Sequence, residues 1–245
     1  MSDGAVRAGI EAILFDKDGT LIDYDASWVP LNRAVADRLA RGDRRLAGRL
    51  LTAGGHDPAT DIVAPGSVLA MGDSRSLARQ WSPLLPGQPD VQRLARDIDR
   101  MFVSLGSATA QPVCDLAALF ARLRAQGLRL GIATNDSAAG AHALVDQFDL
   151  AAHLDFIAGY DSGHGAKPGP GMLTAFAARL AITPDRVAVV GDSLHDVALA
   201  RAGGAGLAVV VQGGARIDPM VAAAADLVID RLEDIFTLVT PQTVA

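Results

Sequence analysis

Cysteine occurs once in the 245 residues, at Cys114. A single thiol can form neither an intrachain disulfide nor a cysteine-built zinc cluster. That suits a reducing compartment and leaves Cys114 to be read as a small buried hydrophobe. Aromatic residues make up only 4% of the chain, too few for a base-stacking surface. A basic excess is missing as well: 22 Lys and Arg face 28 Asp and Glu, a formal net charge of −6, and the sequence pI is about 5.3. A duplex nucleic-acid binder needs the opposite sign on one face. Long apolar runs are absent too. The stretch from Met1 to Glu11 lacks the apolar core of a secretory signal, and no uncharged run approaches a membrane span. These absences lead to the expectation of a cytoplasmic protein with no nucleic-acid and no membrane partner; they leave the oligomeric state open. What is abundant is apolar material, 50% of residues against 20% charged. Over this length that implies one large globular domain, or a core carrying one insertion.

Ile10 to Phe15 is a short apolar run ending in Asp-Lys-Asp-Gly-Thr, the pattern of a buried strand delivering a polar loop. Four similar runs follow at Leu128 to Ala133, Phe156 to Gly159, Val187 to Val190 and Leu207 to Val211. Helical periodicity fills the gaps at Asp115 to Gln126, Ala138 to Phe148, Gly171 to Leu180 and Leu194 to Ala202, while Gly213-Gly214 reads as a loop. Strands and helices alternating at this spacing predict right-handed crossovers and a doubly wound, mostly parallel α/β sheet, with ligands gathered at the carboxyl ends of the strands. The interval from Tyr24 to Ala108 breaks the rhythm. Helical stretches are expected at Pro30 to Arg41, Arg44 to Leu51, Ser74 to Leu84 and Asp90 to Leu105, with no strand. We therefore expect a core of residues 1–23 and 109–245 and an all-helical insertion of residues 24–108. The insertion holds eleven Arg, no Lys, nine Asp and no Glu, a net charge of +2. Such a surplus fits either a basic cover over an anionic substrate or ordinary solvated helix faces.

Four places along the chain carry candidate chemistry. Asp16 and Asp18 directly follow the first strand, and alternation aims both carboxylates one way and Lys17 the other. Two adjacent carboxylates repel unless a cation binds them or one keeps a proton. A metal-bound carboxylate can attack an electrophile, and a protonated neighbour can serve a leaving group; an Asp-Gly turn is the plain structural alternative. The second acidic cluster, Gly191-Asp192-Ser193-Leu194-His195-Asp196, also follows an apolar strand. Oxygen ligands from two strand ends suit a hard cation such as Mg²⁺, whereas helix capping by Asp192 or Ser193 is the alternative. Thr134 and Asn135 offer a hydroxyl and backbone N–H groups to phosphate oxygens. Lys167 stands alone in a glycine-rich loop before Pro168, where a solvated surface charge is the other reading.

In this order the motifs Phe15-Asp16-Lys17-Asp18-Gly19-Thr20-Leu21, Thr134-Asn135, Lys167-Pro168 and Gly191-Asp192-Ser193-Leu194-His195-Asp196 resemble the haloacid dehalogenase-like phosphohydrolase superfamily. Within it, the helical insertion after the first motif is similar to the cap of the phosphoglycolate-phosphatase-type group. The resemblance implies a Rossmann-like core with an inserted helical cap and a Mg²⁺-dependent phosphomonoesterase working through an aspartyl-phosphate. By that similarity Asp16 is the nucleophile and Asp18 the general acid and base. Asp16, the Asp18 carbonyl, Asp192 and Asp196, directly or through water, hold the metal. Gly19, Thr20, Thr134, Asn135 and Lys167 cradle the phosphate, with Thr134 and Lys167 also serving the chemistry.

The implied partner is a small phosphorylated metabolite, with phosphoglycolate as the first expectation. A phosphomutase uses the same parts. Receiver-type signalling modules also phosphorylate an Asp on a parallel sheet, but are shorter and lack the insertion. Dehalogenases need no second acid, and phosphonate-cleaving relatives use a cap lysine that residues 24–108 do not contain. Trp28 and Trp81 are expected to pack inside the insertion, or else to wall a pocket. Arg75 and Arg79 are candidates for a substrate carboxylate, and His195 is a solvated helix-start residue or a substrate contact.

Overall fold

A computed structural model describes residues 9–64, 66–106, 109–212 and 218–239. The Gly213-Gly214 turn, Met1 to Ala8 and the junction at 107–108 lie outside the described residues. In chain order, β1 (Ala12–Phe15) is followed by α1 (Tyr24–Leu39), α2 (Arg44–Gly54), β2 (His56–Asp57), β3 (Ile62–Val63), α3 (Val68–Met71), α4 (Ser74–Trp81) and α5 (Val91–Gly106). Next come α6 (Leu116–Ala125), β4 (Arg129–Ala133), α7 (Ala138–Gln147), β5 (Phe156–Ala158), α8 (Gly171–Leu180), β6 (Val187–Gly191), α9 (Leu194–Gly203) and β7 (Leu207–Val211). The elements end with α10 (Pro219–Ala224), β8 (Leu227–Ile229) and α11 (Phe236–Val239).

Six strands form one sheet in the order β5-β4-β1-β6-β7-β8, parallel at every pairing. Strict alternation along β1 sends Ile13 and Phe15 into one apolar cluster and Ala12 and Leu14 into another on the opposite face. A sheet covered on both faces needs such fully apolar strands. β1 lies between β4 and β6, so the chain leaves it at the point where the winding reverses, which is where an open α/β sheet leaves a crevice. Cys114 is half-buried against the first cluster, and burial pushes its thiol up to about 11.

Helices α1 to α5 pack around an apolar cluster of their own, centred on Trp81, Leu50 and Ile98. The Trp81 indole N–H donates to the Leu50 carbonyl at 2.7 Å, so its packing role is complete. Three expectations need correction here. The insertion is not all helical: β2 and β3 form a two-stranded antiparallel ladder, too short for any alternation to be read. α1 begins at Tyr24, six residues before Pro30, because the Asp23 side chain accepts from the Ala26 N–H and sets the cap. β8 is an additional strand on the sheet edge; its three residues, with Val228 exposed, carry no periodic signal.

The Phe120 ring stacks on Phe15, centroids 5.3 Å apart, directly behind the loop that bears Asp16. Phe120→Ala should lower unfolding stability by about 3–5 kcal/mol through lost burial and a residual cavity. Urea denaturation measures this, and a loss below about 1 kcal/mol would contradict the packing described.

Candidate active site

The carboxyl ends of β1, β4 and β6 deliver Asp16, Thr134 and Asp192 to one rim, and the loop after β5 brings Lys167 to the same place. The Lys167 ammonium donates to Asp16 Oδ1 at 2.5 Å and to Asp196 Oδ1 at 2.6 Å, and it is buried with both partners. Asn135 fixes the lysine's backbone: its Oδ1 accepts from the Lys167 N–H at 2.8 Å and its Nδ2 donates to the Lys167 carbonyl at 3.2 Å. The other oxygen of Asp196 accepts from the Ser193 amide and hydroxyl, at 3.1 and 2.6 Å. Asp196 thus caps α9 and anchors Lys167 at once.

Ligand oxygens of Asp16, Asp192 and Asp196 all lie within 4.8 Å of one another. Burial pushes the Asp16 carboxyl up to about 7, with Lys167 opposing the rise and Asp196 and Asp18 adding to it. Asp192 is pushed well above the ordinary carboxylate range by burial and then by Asp16 and Asp196. Burial alone would lower the Lys167 pKa, but Asp16 and Asp196 more than reverse that and keep the ammonium charged. One lysine does not neutralise three carboxylates. An all-oxygen donor set carrying surplus negative charge fits a hard divalent cation such as Mg²⁺. Gly19 provides the room: its φ is +81°, and a Cβ there would come within 2.0 Å of Asp192 Oδ2.

Asp18 is held from three directions. Lys17 donates to its Oδ1 at 2.7 Å, the Trp28 indole N–H makes a short hydrogen bond to the same oxygen, and the Thr134 hydroxyl lies 3.4 Å from Oδ2. The pleat does send Lys17 away from Asp16, yet its long stem curls so that the ammonium bridges Asp18 and Asp136, the latter at 3.0 Å. The same ammonium lies 5.0 Å from the centre of the Trp28 ring. Burial raises the Asp136 pKa despite the lysine, while Asp136 and Asp18 together outweigh burial and raise that of Lys17.

These groups line an open cleft of about 640 Å³ between the strand ends and helices α1, α3, α4 and α5. Asp16, Asp18, Thr134, Asn135, Lys167, Asp192 and His195 all reach it, and Asp196 touches it through Lys167. Gly19 and Thr20 do not line it. The Gly19 N–H is engaged by the Ile22 carbonyl at 2.9 Å, and the Thr20 hydroxyl is fully buried without a partner.

Arg75 lies over the Tyr160 ring and Arg79 bonds Ser76, so neither candidate carboxylate reader faces the cleft. Trp28, expected mainly to pack, does so against Phe102 and also reaches Asp18. Asp136 was missed by sequence reasoning. A signal existed: Lys17 and Lys167 are the only lysines in the chain, and a buried lysine demands carboxylate partners.

The profile of haloacid dehalogenase-like hydrolases matches residues 10–204. A phosphoglycolate phosphatase of Salmonella typhi is 28% identical over 203 residues, 80% of this chain and 79% of that protein. CbbY of Rhodobacter sphaeroides, solved in complex with phosphate, superposes with a TM-score of 0.66 at 25% identity over 92% of this chain and 96% of its own. A variant of CbbY in complex with xylulose-(1,5)-bisphosphate gives 0.67 at 24% identity, over 94% and 100%. The chain belongs to the haloacid dehalogenase-like hydrolase family, as the four motifs imply. It is an enzyme, a hydrolase, on an α/β Rossmann-like core. Among the described residues no helix is long and apolar enough to cross a membrane.

Two measurements check the electrostatics. Asp16 holds a proton in the folded, metal-free protein across a window from its ordinary value of 3.8 to about 7, where the unfolded chain has lost it. Folded stability therefore falls as pH rises through that window. Added Mg²⁺ needs the ionised form, so its thermal shift should be larger at about pH 8 than at about pH 6; equal shifts in scanning fluorimetry would contradict the site. Lys17→Met leaves Asp18 and Asp136 without their counter-charge and should cost about 3–5 kcal/mol in chemical denaturation, much of it recovered in Lys17→Met/Asp136→Leu.

Proposed function

We propose that this hydrolase is a phosphomonoesterase acting on a small phosphorylated metabolite, with residues 24–108 serving as a cap over a catalytic core of residues 1–23 and 109–245. The observation that carries the reading is the convergence of Asp16, Lys167 and Asp192 at one rim beside Asp18. The phosphatase name of the Salmonella relative supports it.

In this reading an Asp16 carboxylate oxygen attacks phosphorus, the bond to the leaving oxygen breaks, and Asp18 gives that oxygen a proton. Water then attacks phosphorus, the bond between phosphorus and the Asp16 oxygen breaks to release phosphate and restore the carboxylate, and Asp18 takes up the proton of the water. Lys17, Trp28 and Thr134 fix the orientation of the Asp18 carboxyl beside the cleft. A carboxylate approaching a phosphate meets like charge; the Lys167 ammonium, held against Asp16, offsets part of it. Asp16, Asp192 and the Asp18 carbonyl would hold Mg²⁺, with Asp196 orienting Lys167 and within reach of the ion. When bound, the ion supplies further neutralisation of the transferring group's charge. Thr134 and Asn135 border the phosphate position. Trp28 brings the cap into direct contact with Asp18, so cap position and general-acid geometry are coupled.

Asp16→Asn should abolish phosphate release from p-nitrophenyl phosphate, and activity within tenfold of wild type would remove Asp16 as the nucleophile. Asp18→Asn should slow alkyl phosphates far more than p-nitrophenyl phosphate, whose leaving group needs no proton; equal losses would remove the acid role. Phosphate appearing on an added sugar phosphate rather than in water would identify a mutase.

A further inference from the structure

The cleft has two ends of opposite chemistry. At the strand ends lie the lysine and the acidic cluster; at the cap end the polar lining is Tyr24, Asn32, Asp73 and Ser74, set among apolar walls such as Val68 and Phe102. All eleven arginines of residues 24–108 are exposed, and none of them lines the cleft. The insertion's surplus of positive charge therefore faces solvent, so of the two readings of that surplus the one of ordinary solvated helix faces holds. Lys167 cannot serve the cap end either, since its ammonium is held between Asp16 and Asp196.

Asn32 is buried, 1% exposed; beyond a weak contact of its side chain with the Tyr24 hydroxyl, its Nδ2 and Oδ1 have no hydrogen-bond partner. A buried amide left unpaired in a ligand cleft is uncommon in native proteins. It lies beside the Tyr24 hydroxyl, whose own proton goes to the Leu69 carbonyl at 2.5 Å. Tyr24 can thus accept from the cleft, Asp73 offers acceptor oxygens, one of which takes the Ser76 N–H at 2.7 Å, and Asn32 offers one acceptor and one NH₂ group. A hydroxyl both donates and accepts and can satisfy this set; a carboxylate or phosphate only accepts. An anion placed here would be desolvated beside Asp73, and among the described residues no arginine and no uncommitted lysine lines the cleft to pair it.

From this polarity we infer that the leaving group is an uncharged, hydroxyl-bearing alcohol, as in a polyol or sugar monophosphate, read by Asn32 and Tyr24. Phosphocarboxylates such as 2-phosphoglycolate, and bisphosphates, are rejected at the cap end. The inference rests on the phosphomonoesterase reading and adds the class of its substrate.

The test compares kcat/KM for glycerol 3-phosphate, 2-phosphoglycolate and xylulose 1,5-bisphosphate on the Mg²⁺-loaded full-length enzyme, with p-nitrophenyl phosphate reporting the core chemistry. Glycerol 3-phosphate should exceed both anionic substrates by at least about tenfold. In Asn32→Leu the ratio of glycerol 3-phosphate to p-nitrophenyl phosphate should fall by about tenfold or more. Val68→Arg, which adds a cation to the cleft wall, should raise turnover of 2-phosphoglycolate, a gain that misfolding cannot mimic. If 2-phosphoglycolate or the bisphosphate matches or beats glycerol 3-phosphate in the wild type, this inference is overturned while the phosphatase reading stands. An unchanged ratio in Asn32→Leu overturns Asn32 as the reader. No phosphate release from any substrate, p-nitrophenyl phosphate included, overturns the phosphatase reading and this inference with it.

Discussion

Crowded negative charge at the end of a parallel sheet is the constraint on which the rest of this structure depends. Asp16, Asp18, Asp136, Asp192 and Asp196 come together where water is largely excluded, and only two ammonium groups are placed among them. Each lysine spans two carboxylates, Lys167 joining Asp16 to Asp196 and Lys17 joining Asp18 to Asp136. Burial first, and then the neighbouring carboxylates that the lysines leave uncompensated, raise the proton affinity of Asp16 and Asp192. Such an all-oxygen cluster with surplus negative charge is suited to a divalent cation. The polar contacts of Asn135 and Ser193 fit the same need, because they keep Lys167 and Asp196 from relaxing apart.

The helical layer α1 to α5 meets the site through one residue above others. Trp28 packs on Phe102 within the helical cluster, stacks against Tyr24, and donates to Asp18 on the core. Tyr160 on the core likewise donates to Asp99 on α5 at 2.6 Å. The helical layer therefore touches the chemistry directly, and its inner face is mainly neutral and apolar. Positive charge on its outside favours solubility and long-range attraction of anions, while the side that faces the cleft carries no arginine.

Much of the core was legible because strands buried on both faces read as apolar runs, unbroken in β1, β6 and β7 and interrupted only by Arg129 at the start of β4. β8 and the β2-β3 ladder were not, since two or three residues carry no period. Asp16 and Asp18 could be paired from alternation alone. The destination of Lys17 could not: the pleat gives the direction of Cβ, whereas a four-carbon stem decides where the ammonium ends. Arg75 and Arg79 illustrate the converse, being the right residue type in the right segment and turned to solvent.

The amino-acid order by itself determined the sheet, the insertion and the identity of the acidic and basic groups, because local periodicity and loop composition are properties of neighbouring residues. Only the tertiary structure decided that Asp136 completes a buried ion triad, that Gly19 makes room for Asp192 instead of offering its N–H, and that a buried asparagine borders the cleft. Those outcomes depend on contacts between segments separated by up to well over a hundred residues, whose spacing is set by how helices and strands pack and leaves no trace in local pattern.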